Sequence, residues 1–305
     1  MTAQLPRILP YSDLAVAEAA ALICAGGIVA LTTETVYGLA ADATDADAVA
    51  RIYAAKGRPS FNPLIVHVAD LAAAEAIAVF DAEARALAMR WWPGPLTLVL
   101  PLCRDAGIAA LVTAGLDTIA LRVPAHRAMQ AVLAASRRPL AAPSANASNS
   151  ISPTRAAHVA ASLGERVPLI LDDGPTRAGV ESTIVSGGAI LRHGPITAEQ
   201  LGLSYATQVD KVTAPGQLAT HYAPAKPLRL DATAREGDEW LIGFGAVAGD
   251  DMLSANGDLI EAAGRLFDAL HRADSSPASR IAVAPIASSG VGAAINDRLR
   301  RAAHR

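Results

Sequence analysis

Two cations stand two residues apart in the string K-G-R-P-S-F-N-P-L, which begins at Lys56. Lysine offers a compact charge and arginine a planar fork of donors, a combination that suits a polyphosphate. Pro59 restrains the loop that follows, so Lys56 and Arg58 have little conformational entropy left to lose on binding. Alternatively, both cations only favour the carboxyl end of a helix. The local pattern does not separate the two interpretations.

Two hydroxyl-rich strings each follow a short apolar run. T-T-E-T-V-Y-G-L begins at Thr32 and P-S-A-N begins at Pro143. Small polar side chains at the carboxyl end of a strand are where open α/β sheets place ligand contacts. Taken alone, the first string is more typical of a turn. S-P-T, beginning at Ser152, is typical of a helix cap, which a binding role does not exclude.

Other motifs for phosphate, metal or nucleophile chemistry are missing. The sequence has no GxxxxGK[ST], HExxH or G-x-S-x-G string. The glycines at Gly243, Gly245 and Gly249 do not match G-x-G-x-x-G spacing, which favours a tight turn over a dinucleotide site. Cys24 and Cys103 form no CxxC pair, so neither a disulfide framework nor a cysteine zinc site is supported.

Composition indicates a globular chain with two structural units. The 305 residues exceed one ordinary core, and 52% are hydrophobic while 18% are charged. No apolar run approaches the ~18 residues of a spanning helix, and no signal peptide is evident. We therefore expect a cytoplasmic protein that does not enter a membrane.

The net charge of −3 argues against a broadly basic nucleic-acid-binding surface. One basic cluster comprises Arg298, Arg300, Arg301 and Arg305. Because cations favour the carboxyl end of a helix, we interpret it as a solvated helix end.

Short apolar strands alternate with helical patterns up to about residue 203, which predicts a mixed sheet with helices packed on it. The pattern lapses over residues 204–226, where proline, glycine and small residues indicate an ordered linker. A smaller α/β unit follows at 227–305. Helices are expected over 13–25, 47–56, 69–90, 129–135, 259–271 and 291–303, and strands over 28–31, 64–68, 97–100, 118–123, 140–142, 168–171, 183–185, 189–191, 227–230, 240–244 and 280–284.

Taken together and in order, these strings resemble the YrdC-like threonylcarbamoyl-AMP synthase family in its long, two-domain form. The resemblance covers about residues 10–203 and rests on T-E-T-V-Y-G-L, K-G-R-P-x-x-N-P-L-I-V-H, R-V-P, P-S-A-N with S-P-T, E-S-T-I-V and L-R-x-G-x-I. The later P-G-Q-L-A-T-H-Y-A-P resembles the linker of two-domain members. Departures from the family pattern stand at Asn149, Ser150, Ser186 and Gln217. Those at Asn149 and Ser150 replace a glycine–basic pair and leave a basic contact to ATP from that loop in doubt.

The resemblance implies an α/β fold of mixed, α+β-like character. A twisted mixed sheet and its helices would form a concave, positively charged cavity in a YrdC-like catalytic domain, 1–203, followed by a Rossmann-like domain. The implied enzyme is a nucleotidyltransferase, an L-threonylcarbamoyladenylate synthase, which joins L-threonine, bicarbonate and ATP and releases pyrophosphate. Its product would feed a downstream tRNA threonylcarbamoyl transferase complex that makes threonylcarbamoyladenosine in tRNA.

The resemblance also assigns residues. Lys56 and Arg58 would hold phosphates as the catalytic pair. The ATP-binding set would be Arg58, Asn62, Thr118, Ser144, Asn146, Ser152, Arg192 and Tyr222, with Tyr222 acting as a lid. The L-threonine-binding set would be Thr35, His67, Arg122 and Ser182. No protein metal site is expected, so Mg²⁺ would be carried by the phosphates of ATP, with Glu34 and Glu181 left open as further contacts.

Two rival interpretations remain at this stage. YrdC-like domains also look suited to RNA, and a weak contact with tRNA is left open, although the net charge argues against tight binding. A carbamoyl-transfer role, as in hydrogenase maturation, would normally come with zinc-finger-like cysteines and an acylphosphatase domain, which this sequence lacks.

Overall fold

The computed structural model describes residues 6–59, 61–206 and 221–304. Within these ranges the chain forms a sheet of eleven strands and a sheet of four. The predicted linker therefore lies partly outside the described residues. Ser60, Gln217 and Arg305 lie outside them as well. Among the described helices, none is both long enough and apolar enough to cross a membrane.

The elements of the larger domain are β1 (Arg7–Pro10), α1 (Asp13–Cys24), β2 (Val29–Leu31), β3 (Gly38–Asp42), α2 (Ala46–Lys56), β4 (Ile65–His67), α3 (Leu71–Glu75), α4 (Ala82–Trp91), β5 (Leu96–Pro101), α5 (Ala110–Thr113), β6 (Thr118–Arg122), α6 (Arg127–Ser136), β7 (Leu140–Ala141), α7 (Ala156–Leu163), β8 (Leu169–Asp172), β9 (Thr183–Ser186), β10 (Ala189–Arg192), α8 (Ala198–Leu201) and β11 (Ser204–Tyr205). A short 3₁₀ turn spans Gly164–Arg166. The smaller domain contains β12 (Leu228–Arg229), β13 (Glu239–Gly243), β14 (Asp251–Met252), α9 (Leu259–Ser275), β15 (Arg280–Val283) and α10 (Gly292–Ala303).

The large sheet is mixed, as expected, and its strand order is β1-β8-β2-β3-β7-β4-β6-β5-β9-β10-β11. β4 runs parallel to β6 and antiparallel to β7. The register of β4 and β6 sets His67 directly beside Arg122. Because alternate residues of a strand point to opposite faces, these two side chains share one face of the sheet. The other face carries Val66 and Leu121 and is covered by the main hydrophobic core.

The helix α2 delivers Lys56 to the interior of the larger domain. Asp45 caps its amino end by accepting hydrogen bonds from the backbone of Asp47 and Ala48. Gly57 ends it in the left-handed region, at a φ of 59°, which glycine adopts without steric cost. One side of the helix, including Ile52, packs into the core. The last residue of the helix, Lys56, is consequently buried.

Residues 69–90, predicted as one helix, form α3 and α4 with an extended segment between them. Ala78 pairs with Leu102 in an isolated bridge, and Asp81 then caps α4. A long-range backbone pairing thus overrides the helical propensity of an alanine-rich segment.

The smaller sheet is wholly parallel, in the order β12-β15-β13-β14. The turn after β13 is tight, as predicted: Phe244 and Val247 exchange two backbone hydrogen bonds. The prediction of a solvated carboxyl-terminal helix is wrong for Arg298, which is fully buried, although Arg300 is exposed. The amphipathic α10 turns Arg298 towards the larger domain.

The cap of α2 provides a test of how this helix is held. Asp45→Ala removes the acceptor of two backbone hydrogen bonds and should lower the free energy of unfolding by about 1 kcal/mol. Chemical denaturation would measure this loss. The control is Asp47→Ala, since Asp47 is exposed and accepts no capping bond. Equal losses in the two variants would contradict the capping role.

Candidate active site

A cavity of about 50 Å³ lies over the sheet face that carries His67 and Arg122. It collects side chains from strand ends and loops that are far apart in the sequence. The polar side chains lining it belong to Thr33, Thr35, Arg58, His67, Arg122, Ser144, Glu181, Ser182, Arg192, His221 and Tyr222.

Arg122 organises one end of the cavity. Its Nη2 lies 2.7 Å from Glu34 Oε1, its Nη1 donates to Thr35 Oγ1 at 2.9 Å and its Nε donates to the carbonyl of Gly94. Burial raises the pKa of Glu34, but the neighbouring Arg122 outweighs it, so the carboxyl titrates below its ordinary value. Glu34 therefore stays ionised and fixes the arginine fork. A fixed fork suits a carboxylate ligand.

His67 contributes a neutral imidazole beside this fork. Burial, and then the charge of Arg122, lower the pKa of His67 to about 3. Among the described residues its buried Nδ1 has no hydrogen-bond partner. A buried polar atom without a partner is costly, so this nitrogen is suited to a ligand in the cavity.

Arg58 approaches the other end of the cavity and is tied down by backbone carbonyls. Its Nε donates to the carbonyl of Asn62 and its Nη2 to that of Pro63. Arg192 donates from Nε and Nη2 to the carbonyl and hydroxyl of Ser182, each at 3.0 Å. Burial lowers the pKa of each of the two arginines to about 10, so both remain cationic at neutral pH.

Lys56 lies behind the cavity wall and does not line it. Its Nζ donates to the carbonyls of Ser144 at 2.6 Å and Asn146 at 2.5 Å, and it thereby anchors the P-S-A-N loop. Burial, followed by repulsion from Arg58 and Arg166, lowers the pKa of Lys56 well below its ordinary value. The loop that carries Ser144 is therefore held in shape by the buried Lys56 side chain.

The charges around the cavity are unbalanced in favour of cations. Arg58, Arg122 and Arg192 line it, whereas Glu181 is the one carboxylate among its described lining residues. Cations gathered in a partly dehydrated space repel one another, and an anionic ligand relieves that repulsion. The cavity is consequently suited to anions.

Tyr222 and His221 fill the mouth of the cavity. Tyr222 is 1% exposed and its ring packs 5.5 Å from that of Phe267. The backbone nitrogen of Ala223 donates to the carbonyl of Asn149, which joins this segment to the larger domain. In this structure the segment therefore lies against the cavity, with the Tyr222 ring buried.

The predicted residues divide into two groups. All four residues assigned to L-threonine, and Arg58, Ser144, Arg192 and Tyr222 of the ATP set, line the one cavity. The others do not line it in this form. They are Lys56, Asn62, Thr118, Asn146 and Ser152.

One of these outlying side chains, that of Ser152, contacts a side chain that lines the cavity. Ser152 Oγ donates to Glu181 Oε1 at 2.5 Å. Asn62 and Asn146 are buried, and the side-chain oxygen of each has no hydrogen-bond partner among the described residues. Thr118, at the start of β6, lies opposite Pro101.

Sequence reasoning missed Thr33, Thr97 and His221. Thr33 Oγ1 contacts Thr35 Oγ1 at 2.9 Å, and Thr97 Oγ1 contacts Ser182 Oγ at 2.7 Å. Thr33 and His221 each lie within a quoted motif string, which could have identified them. Thr97 lies within an apolar strand, and nothing in the local sequence distinguishes it.

Two family models match the chain. The model named for Sua5, YciO and YrdC, which carries the description "Telomere recombination", matches residues 21–194. The model described as "Threonylcarbamoyl-AMP synthase, C-terminal domain" matches residues 189–304.

Individual relatives match at nearly full length. The threonylcarbamoyl-AMP synthase of Bacillus subtilis is 41% identical over 97% of this chain and 94% of its own length, and that of Pyrococcus abyssi is 38% identical over 93% and 92%. The crystal structure of P. abyssi Sua5 complexed with L-threonine superposes with a TM-score of 0.90, at 36% identity and 97% coverage of each chain. Escherichia coli YciO, at 18% identity and a TM-score of 0.56, shares the fold over 64% of this chain.

The buried neutral His67 predicts an acid-sensitive fold. Unfolding exposes the imidazole, which then takes up a proton below pH ~6.5. Because the unfolded state binds more protons, stability should fall as the pH drops from about 6.5 towards 3, by up to ~1.4 kcal/mol per pH unit from this group. Denaturation at several pH values would show a shallower slope for His67→Gln. His304→Gln, at an exposed histidine, is the control, and identical slopes in both variants would refute the assignment.

Proposed function

This chain belongs to the threonylcarbamoyl-AMP synthase family, and from that premise we propose how its cavity makes threonylcarbamoyl-AMP. The enzyme is proposed to be a nucleotidyltransferase that uses L-threonine, bicarbonate and ATP. The observation that carries the proposal is a convergence: the four side chains assigned to threonine line one cavity together with Arg58 and Arg192.

The reaction brings two anions together, the carbamate of L-threonine and the triphosphate of ATP. The amino group of L-threonine and bicarbonate give a carbamate and water. A carbamate oxygen then attacks the α-phosphorus of ATP, the bond to the β-phosphate oxygen breaks, and pyrophosphate leaves. Neutralising and aligning the two anions is most of the catalytic task. A cavity lined by three arginines supports this role.

We assign L-threonine to the end of the cavity around Arg122. The fork held by Glu34 would pair with its carboxylate, and Thr35, His67 and Ser182 would contact its remaining polar groups. That L-threonine is the ligand is supported by the full-length likeness to a Sua5 structure complexed with L-threonine.

ATP would enter from the side of Arg58, Ser144 and Arg192. Pockets for drug-sized small molecules typically measure roughly 300–1,000 Å³, whereas this cavity measures about 50 Å³. Tyr222 and His221 must therefore withdraw for ATP to bind. We propose that this segment is a lid that closes on the bound nucleotide and excludes water.

Mg²⁺ would accompany ATP and neutralise phosphate oxygens. The described residues contain no group of three or more histidine, cysteine or acidic side chains that could hold a metal ion. Glu181 is engaged by Ser152 and Arg298. The donor set therefore fits an ion carried mainly by the phosphates. We further propose that the product passes, in the cytoplasm, to a transferase complex that modifies tRNA.

A pyrophosphate-release assay tests the proposed function. Release from ATP should require both L-threonine and bicarbonate, because the attacking carbamate forms from these two molecules. Omitting either should reduce the rate to background. Equal release without threonine would refute the assignment.

Substitutions of Lys56 and of Arg58 should impair the protein in different ways. Arg58→Ala should lower turnover by about a hundredfold or more, since Arg58 lines the cavity. Its loss of stability should be smaller than that of Lys56→Ala, because the carbonyl of Asn62 keeps a hydrogen bond from Tyr53 Oη. Lys56→Ala should abolish turnover and also lower the melting temperature, because two buried carbonyls lose their donor.

Arg85→Ala is the matched control for both variants. Arg85 is exposed and pairs with Glu75, away from the cavity. Near-normal turnover in Arg58→Ala would remove Arg58 from the phosphate site. An unchanged melting temperature in Lys56→Ala would contradict the anchoring of the loop.

A further inference from the structure

Arg298 crosses from the smaller domain into the wall of the active site. It lies on α10 and has the largest fully buried side chain among the described residues. Its Nε donates to Glu181 Oε2 at 3.0 Å, and its Nη1 donates to the carbonyl of His193 at 2.7 Å and to Asp297 Oδ2 at 3.1 Å. Arginine is rarely fully buried unless it is paired, so these partners make Arg298 an integral part of the contact between the two domains.

Glu181 links Arg298 to the cavity. One carboxylate oxygen accepts from Arg298 and the other accepts from Ser152 Oγ. Glu181 itself lines the cavity, and the next residue, Ser182, accepts two hydrogen bonds from Arg192. The guanidinium of Arg298 is therefore one side chain away from the space that a ligand would fill.

The same guanidinium also packs against Tyr222, which lines the cavity. Its carbon lies 5.4 Å from the centre of the Tyr222 ring, within the range of a cation–π contact. The backbone nitrogen of His221 donates to the carbonyl of Arg301, one turn further along α10. α10 thus contacts both residues that close the site.

Without Arg298, Glu181 would lose the guanidinium that pairs with it directly, and its charge would then act on the cavity arginines, with Arg192 already close enough to interact with it. A carboxylate in the wall of a phosphate-binding cavity repels the ligand, and removing one partner of a buried pair leaves the other charge uncompensated. Arg298 cancels that charge and leaves the cavity arginines available to an anion.

We propose that Arg298 is a positioning residue for the adenylation reaction, through which the smaller domain completes the ATP side of the site. It neutralises and orients Glu181, holds Ser152 through it, and packs against Tyr222. This inference rests on the function proposed above.

Other contacts besides those of Arg298 also hold the two domains together. The domains also share a hydrophobic cluster that includes Val180 and Phe267. Arg155 on the larger domain pairs with Asp268 on α9 at 2.8 Å, at the surface and away from the cavity. Arg155→Ala therefore weakens docking without touching the site and is the matched control.

The test compares Arg298→Met with the double variant Arg298→Met/Glu181→Gln. The dissociation constant for ATP, measured by calorimetry without threonine, should rise by roughly tenfold to a hundredfold in Arg298→Met. The KM for ATP should rise in parallel and the KM for L-threonine should change much less. The double variant removes the unbalanced charge and should regain most of the lost ATP affinity. Arg155→Ala should bind ATP like the native chain.

Native ATP affinity in Arg298→Met, or a double variant as impaired as the single one, would overturn the proposal. If Arg298→Met does not fold, as judged by circular dichroism, Arg298→Lys replaces it because it keeps the charge. Its dissociation constant should rise only slightly, whereas a rise of about tenfold or more would mean that packing, not charge, is what Arg298 supplies.

The closing experiment separates this inference from the proposed function. A native chain that binds ATP but releases no threonine-dependent pyrophosphate would refute the proposed function. The binding comparison between the Arg298 variants would still decide the role of Arg298.

Discussion

Mutual repulsion among buried cations is the constraint on which the site depends. The basic side chains of Lys56, Arg58, Arg122 and Arg192 all lie at or just behind the wall of one cavity. Burial lowers the pKa of Lys56, Arg58 and Arg192, so their hydrogen-bond partners matter for holding positive charge there. Most of those partners are backbone carbonyls, which satisfy hydrogen bonds without adding a full negative charge. The carbonyls must come from loops held at fixed positions by the sheet. The architecture can therefore be understood as a means of keeping positive charge inside the protein without cancelling it.

The two carboxylates near the cavity fit the same scheme. Glu34 pairs with Arg122 at one end, and Glu181 pairs with Arg298 beside the other. Each is paired directly with one guanidinium, and neither of those guanidinium groups belongs to Arg58 or Arg192. The second pairing joins the domains, so the smaller domain adjusts the charge of a site whose other described lining residues belong to the larger domain and to residues 221–222.

Sequence patterns predicted much of this fold, and the reasons are local. Ser12 and Asp45 cap their helices, and Gly57 ends α2, because these interactions involve neighbouring residues. The small strand β3 was not predicted, since its residues G-L-A-A-D carry little strand propensity and pair only with distant partners. The break between α3 and α4 was missed for the same reason. In the site, motif strings identified residues that line the cavity, but the inward turn of Lys56 and the burial of Arg298 depend on packing between segments far apart in the chain.

The backbone of Tyr222 carries a further consequence. Its φ of 64° places a bulky residue in the left-handed region, at a cost of about 1–3 kcal/mol. Burial of the ring and its contacts with Phe267 and Arg298 offset that cost in the closed form. Withdrawal of the segment would release the strain as it loses the packing, so the two opposing changes partly cancel. For the proposed lid, closure would then be a shallow equilibrium, whose populations a ligand with modest differential affinity could shift.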